Sequence, residues 1–182
     1  YSMLPGVDPE AGLRMAGALF RFWDVRGYLG EGFDRLTGIL SRPEAAAGTI
    51  GRAKALHALG TLAQARADQD LARSALEESA LLGHRLGGGR VEIWPVSMLA
   101  FQAFLAADHE RAQAMAERAH ALAVEAGDEA MQIRGYCARG IVAAIGGDRT
   151  GGWSLLEHAL AIARRLGSTW GTANVQYTMG WV

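Results

Sequence analysis

The sequence predicts an all-helical fold in which antiparallel helix pairs stack into a right-handed α–α superhelix. Alanine and leucine are the most abundant apolar residues in the chain of 182 residues, while the strand-favouring valine and isoleucine are sparse. An internal period of 40 residues is the second observation, and several independent sets of positions agree on it. These sets are Asp68, Asp108 and Asp148; Glu77, Glu117 and Glu157; Leu82, Leu122 and Ile162; and Gly87, Gly127 and Gly167.

Each period is long enough for two helices and two turns. Apolar residues at helical spacing in the first complete unit predict one helix over Ile50–Ala67 and a second over Gln69–Leu86. The same step predicts Val91–Ala107, His109–Ala126, Glu129–Gly146 and Thr150–Leu166, preceded by the degenerate pair Ala11–Arg26 and Leu29–Leu40. A last helix is predicted over Thr169–Val182, without a second helix to pair with it.

We therefore expect one solenoid domain over residues 1–182. It would contain a degenerate leading pair at 11–40, repeats at 49–87, 88–127 and 128–167, and the first helix of a truncated repeat at 168–182. The sequence starts without methionine and stops inside a predicted helix, so we expect a fragment of a longer protein.

Turn and packing residues follow the same period. Gly87, Gly127 and Gly167 are expected to stop helices in the left-handed conformation, and Asp128 and Ser168 to cap the helices that follow. Small residues at 60, 100, 140 and 180 predict close contact between the two helices of a pair, because a larger side chain would hold the axes apart.

The motif Leu56…Leu59-Gly60…Ala63…Ala72…Leu76…Ser79 resembles the tetratricopeptide repeat, although the usual period is about 34 residues. The opening segment 11–40 and the segments ARSALEESALLGHRLG and GWSLLEHALAIARRLG are similar to repeat tails of bacterial signal-transducing ATPases of the LuxR, SARP and MalT-like kind. The resemblance implies a transcriptional regulator in which the tail senses an inducer or partner, while the ATPase and DNA-binding parts lie elsewhere.

The composition argues against several classes of function. Net charge is −1, so the basic excess of a nucleic-acid surface is missing. Lys54, the only lysine, is not in a P-loop, and Cys137, the only cysteine, cannot form a thiolate zinc cluster. We expect no catalytic residues, no metal, no cofactor, no membrane span and a cytoplasmic location.

Partner-binding residues are expected on the first helix of each pair, which lines the concave surface in repeats of this type. The wall would be basic at one end and aromatic in the middle, which suits an extended peptide or an amphipathic helix with acidic and apolar groups. The candidates are Arg14, Arg21, Lys54, His57, Thr61, Gln64, Trp94, Phe101, Phe104, Arg134 and Tyr177. Whether Trp94, Phe101 and Phe104 line this groove or form core between repeats stays open.

The sequence thus predicts a non-catalytic domain that interacts with a protein or peptide, which could be another domain of its own chain, or that senses a small-molecule inducer. The alternative is a self-assembly module. On that hypothesis the last helix exposes an apolar face with Val175, Met179 and Val182, and a homodimer forms through it.

Overall fold

The structure, a computed structural model, describes residues 8–182. Within this range nine α-helices and one short 3-10 helix (Pro43–Ala45) are present, and there is no strand. The helices are α1 (Pro9–Arg26), α2 (Leu29–Leu40), α3 (Ile50–Ala65), α4 (Gln69–Arg85), α5 (Arg90–Leu105), α6 (His109–Glu125), α7 (Glu129–Ile145), α8 (Arg149–Arg165) and α9 (Thr169–Met179). The predicted helices are confirmed to within three residues at each boundary. No described helix is both long and apolar enough to cross a membrane.

Periodic turn residues determine where the helices begin and end. The side chains of Asp68, Asp108 and Asp148 each accept a hydrogen bond from a backbone N–H in the first turn of the second helix of a pair. Gly87, Gly127 and Gly167 end second helices with positive φ angles of 100°, 61° and 62°. The predicted stop glycines are therefore confirmed.

Packing divides the chain into two compact units, one ending at Pro95 and the other formed by Val96–Val182. In the first unit, α1, α2, α3 and α4 enclose a core that includes Leu13, Trp23, Leu36 and Leu62. In the second unit, α7, α8 and α9 enclose a core around Ile133, Leu156 and Val175. The single domain over 1–182 and its division into repeats stay predictions.

Glycines allow close contact within two of the pairs, as predicted. A Cβ atom on Gly60 would lie 2.7 Å from Leu76 Cγ, and one on Gly140 would lie 2.8 Å from Leu156 Cγ. Gly180 occupies the same register at the end of α9, where an added Cβ would approach carbonyl oxygens of its own last turn, and its contact with a second helix stays a prediction.

The prediction that α9 exposes an apolar face was wrong at Val175. This residue is fully buried in the second unit's core, and Met179 and Val182 are partly buried against the same core. The helix ends at Met179, and its exposed large side chains are Tyr177 and, just beyond its end, Trp181. Packing of α9 on α7 and α8 explains the difference, because the apolar stripe faces the preceding pair.

Candidate functional site

The first unit contains an open cleft, here called the basic cleft, with a volume of about 850 Å³. It is lined by α1, by α3 and by the first residues of α5. Residues one period apart face it together: Glu10, Ile50 and Arg90 form one such set, and Arg14, Lys54 and Trp94 form another. The cleft is thus built from equivalent positions of successive first helices.

Cations dominate the lining of the basic cleft. Arg14, Arg21, Lys54 and Arg90 are all exposed there, whereas Glu10 is the only acidic residue among the described ones that line it. The Glu10 carboxylate is engaged at the start of α3, where it accepts hydrogen bonds from Thr49 Oγ1 at 2.5 Å and Gly51 N at 3.2 Å.

The position of Glu10 suits a carboxylate, since the first turn of a helix has unsatisfied N–H groups and a partial positive charge. Glu10 therefore serves the fold, and the four cations outnumber this one carboxylate among the described lining residues.

Three rings from α1, α3 and α5 form the inner side of the basic cleft. The ring of His57 lies edge-to-face with those of Phe20 and Trp94, at centroid distances of 5.6 and 5.4 Å. Phe20 is buried, whereas His57 and Trp94 are half-buried. Such edge-to-face pairs stabilise the contact between first helices and leave part of the Trp94 ring facing the cleft.

The second unit contains a smaller recess of about 220 Å³, here called the apolar pocket, between α5, α7 and α9. Its walls are largely apolar, with Phe101 from α5, Ile141 from α7 and Trp181 from the end of α9 among them. Arg134 is the only charged residue among the described ones in this lining.

Polar groups in the apolar pocket gather around Arg134. Its guanidinium Nη2 lies 3.7 Å from Met98 Sδ, and its Cζ lies 5.5 Å from the centre of the Trp170 ring. Nearby, Asn174 Nδ2 donates a weak hydrogen bond to Cys137 Sγ at 3.6 Å. Burial raises the pKa of the Cys137 thiol to about 11, so this thiol is protonated at neutral pH and is a poor nucleophile.

The structure divides the predicted wall residues between these two sites. Arg14, Arg21, Lys54, His57 and Trp94 line the basic cleft, while Phe101, Arg134 and Tyr177 line the apolar pocket. Their role in binding stays a prediction.

The remaining three candidates, Thr61, Gln64 and Phe104, line neither site. Thr61 Oγ1 instead donates to the His57 carbonyl at 2.9 Å, and the Phe104 ring lies 6.0 Å from that of Phe101. Thr61 and Phe104 thus contact residues of their own helix. Periodicity alone shows which face a residue lies on, but it does not show such contacts.

Sequence reasoning missed Glu10, Met15 and Arg90 in the basic cleft. The signal was available for two of them, because Glu10 and Arg90 are one period before and after Ile50. A step of 40 residues in either direction from Ile50, the first residue of a predicted helix, identifies both residues.

An aromatic–histidine cluster lies on α6, α7 and α8. The Tyr136 ring is 4.5 Å from that of His120 and 4.7 Å from that of His158. Burial lowers the pKa of His120, and the nearby charges of Arg139 and His158 lower it further. Among residues 8–182 no group of three or more His, Cys, Asp or Glu side chains is arranged to hold a metal ion.

Comparisons with known proteins find similarity in structure but not in sequence families. No protein-family model and no curated protein sequence matches the chain. The crystal structure of BtubC (BKLC) from P. vanneervenii is similar with a TM-score of 0.74 at 18% identity, covering 92% of this chain and 69% of that chain. The TPR-like repeats of a Podosopora anserina protein described as a kinesin light chain match with a TM-score of 0.68 at 18% identity, covering 94% of this chain and 88% of that one.

A point variant of the same Podosopora anserina repeats matches with a TM-score of 0.67 at 16% identity, covering 96% of this chain and 89% of that one. At this level of identity the similarity shows the fold alone. The fold is an all-helical, tetratricopeptide-like solenoid.

Proposed function

We propose that this chain is a non-catalytic protein-interaction domain whose basic cleft binds an acidic segment of a partner protein. The observation that carries the proposal is the charge of the cleft. Four exposed cations line it, and the only carboxylate among its described lining residues is used to begin α3. A chain whose overall net charge is −1 thus gathers positive charge in one concave place.

The cleft also offers apolar contact beside the charges. Trp94 and the aliphatic stems of Arg14 and Lys54 would cover leucine or phenylalanine side chains of a partner, while the cationic ends meet its carboxylates. An acidic segment with interspersed apolar residues, either extended or as an amphipathic helix, combines both requirements.

Fluorescence polarisation with two labelled peptides tests this proposal. One peptide contains Glu and Leu, and the matched peptide has Gln in place of every Glu. We expect the acidic peptide to bind more tightly, and its affinity to fall as salt is raised, because exposed charges are screened.

Variants locate the binding surface. The double variant Arg14→Gln/Lys54→Gln should weaken binding by about tenfold or more, as expected when charge-assisted contacts are lost. Arg85→Gln removes an exposed arginine of α4 outside the cleft and should leave the affinity unchanged. Equal binding of both peptides, or equal losses in both variants, would contradict the proposal.

We also propose the class of protein to which this domain belongs. The resemblance of segment 11–40 and of the two repeat segments to LuxR, SARP and MalT-like tails supports a bacterial, cytoplasmic transcription regulator, in which this domain takes part in signal transduction. Its partner would be another protein or an ATPase module of its own chain, and this domain would not contact DNA. The sequence of the complete gene tests this, since a P-loop upstream or a helix-turn-helix downstream is expected and the lack of both would contradict it.

Self-assembly is the second candidate function. The observation in its favour is that Tyr177 and Trp181, on and just after α9, are 64% and 47% exposed. A homodimer through these rings would make the mass from light scattering rise with concentration, and Trp181→Ser would abolish the rise. A monomeric mass at all concentrations would exclude this function.

A further inference from the structure

The apolar pocket of the second unit is polarised along the helices that form it. Arg134 and Ile141 are seven residues apart on α7, which places them about two turns, or roughly 10 Å, apart along the helix axis. Asn174 lines the pocket one period after Arg134, and Trp181 lines it one period after Ile141. One end of the pocket is therefore cationic and polar, and the other end is apolar and aromatic.

The size of the pocket limits what it can hold. Its volume of about 220 Å³ is far above the roughly 10–15 Å³ that one ordered water needs. It is also below the roughly 300–1,000 Å³ of pockets for drug-sized ligands. A compact group, such as one ring with a short chain, matches this space.

Charge then limits the polar group of the ligand. No Asp or Glu of the described chain lines the pocket, and Arg134 supplies its single formal charge on a half-buried side chain. A carboxylate matches a guanidinium in charge and in bidentate geometry. A phosphate monoester would bring a second negative charge that no described lining residue offsets, and uncompensated charge away from water is costly.

We infer that the apolar pocket is a binding site for a small monocarboxylic acid with an apolar body. The carboxylate lies against Arg134, with the Asn174 amide beside it, and the body of the ligand lies against Ile141, Phe101 and Trp181. This inference is independent of the proposed function, because the basic cleft and the apolar pocket belong to different units of the chain.

Isothermal titration calorimetry on the whole chain tests the inference with 3-phenylpropanoate as the probe. Its uncharged analogue 3-phenylpropanamide and phenyl phosphate serve as matched ligands. We expect saturable binding of the acid, with affinity at least about tenfold weaker for the amide, since a hydrogen bond to a charged group is the difference between them. A short peptide ending in phenylalanine, with a free or an amidated C-terminus, distinguishes a chain end from a free acid as the source of the carboxylate.

Three variants locate the binding. Arg134→Gln removes the cation, and Ala138→Phe fills the pocket from a half-buried position on α7. Each should weaken binding of 3-phenylpropanoate by about tenfold or more. Ala161→Phe adds the same ring at an exposed position of α8 outside the pocket and should leave binding unchanged.

Ala138→Phe keeps the test decisive if Arg134→Gln fails to fold, which circular dichroism would reveal. The inference is overturned if the wild-type chain does not bind the acid at millimolar concentration, if the amide or phenyl phosphate binds as well as the acid, or if Ala138→Phe binds it unchanged.

Discussion

Replacing Gly140 by leucine tests the packing of α7 against α8. A Cβ atom at this position would lie 2.8 Å from Leu156 Cγ, 2.9 Å from Leu156 Cδ2 and 3.0 Å from the Gly152 carbonyl oxygen. Leu156 is fully buried and the carbonyl belongs to the backbone of α8, so neither can move aside without shifting the helix. Leucine adds three further carbons beyond this Cβ, and the two helices must separate to hold them.

The expected loss follows from two opposing effects. Overpacking a close-packed contact costs about 1–3 kcal/mol, and more for a large side chain. Leucine recovers somewhat less than about 1 kcal/mol, because glycine is a poor helix former. We therefore expect Gly140→Leu to lower the free energy of unfolding by about 1–3 kcal/mol, and Gly140→Ala to lower it by less.

Urea unfolding followed by circular dichroism measures this loss. With a slope of about 2 kcal/mol per molar urea, a loss of about 2 kcal/mol moves the midpoint down by about 1 M. Gly30→Ala is the matched control, because the nearest atom to a Cβ there is Arg66 Nη1 at 3.9 Å. That control should leave the midpoint unchanged or raise it. An unchanged or higher midpoint for Gly140→Leu would refute the packing face assigned to α7.

Three further predictions concern a turn, a thiol and a histidine. Ala67→Gly should raise the free energy of unfolding by up to about 1 kcal/mol, because Ala67 has a φ of 64°, which glycine adopts more easily. Gly147→Ala at the equivalent turn should lower the free energy of unfolding. The urea midpoint measures both changes. Cys137 is buried and its pKa is raised to about 11, so it should react with a thiol reagent at neutral pH only as fast as the chain opens. A reaction rate equal to that of the urea-unfolded chain would contradict its burial. The pKa of His120 is lowered from its usual 6.5, so the unfolded chain binds the proton more readily, and the thermal midpoint should fall as pH decreases through 6.5 and the folded pKa. His120→Gln should reduce this pH dependence, and an identical profile would contradict the assignment.

Helices and their caps could be predicted from the sequence because local chemistry determines them. Asp68, Asp108 and Asp148 each cap a second helix, and Gly127 and Gly167 adopt positive φ at little steric cost because they have no Cβ. Ala67 and Ala107 adopt the same backbone conformation without that chemistry. Their position in the repeat, where Gly147 stands in the next unit, was the only indication.

Errors arose where the outcome depends on which element packs next. The sequence predicts an exposed face at Val175 because no partner helix follows α9, but α9 packs on the preceding pair. Periodicity gives the register of a residue but not its neighbours.

The candidate sites were predictable in part for the same reason. The register placed Arg14, Lys54 and Trp94 on equivalent turns, and all three line the basic cleft. The apolar pocket, in contrast, is formed by residues of three helices. It needs the small side chain of Ala138, Arg134 beside Met98, and α9 close to α7. No pattern within one helix contains them.

Chemical-shift mapping by NMR tests the central claim most directly, namely that this solenoid binds an acidic partner through its first helices. Titration of the labelled chain with the Glu and Leu peptide should shift backbone amides around Arg14, Lys54 and Trp94, and the indole N–H of Trp94, in a saturable way. Amides of α4 and α6, which are second helices, should stay unchanged. Shifts concentrated on α4 or α6, or no shifts at saturating peptide, would contradict the claim.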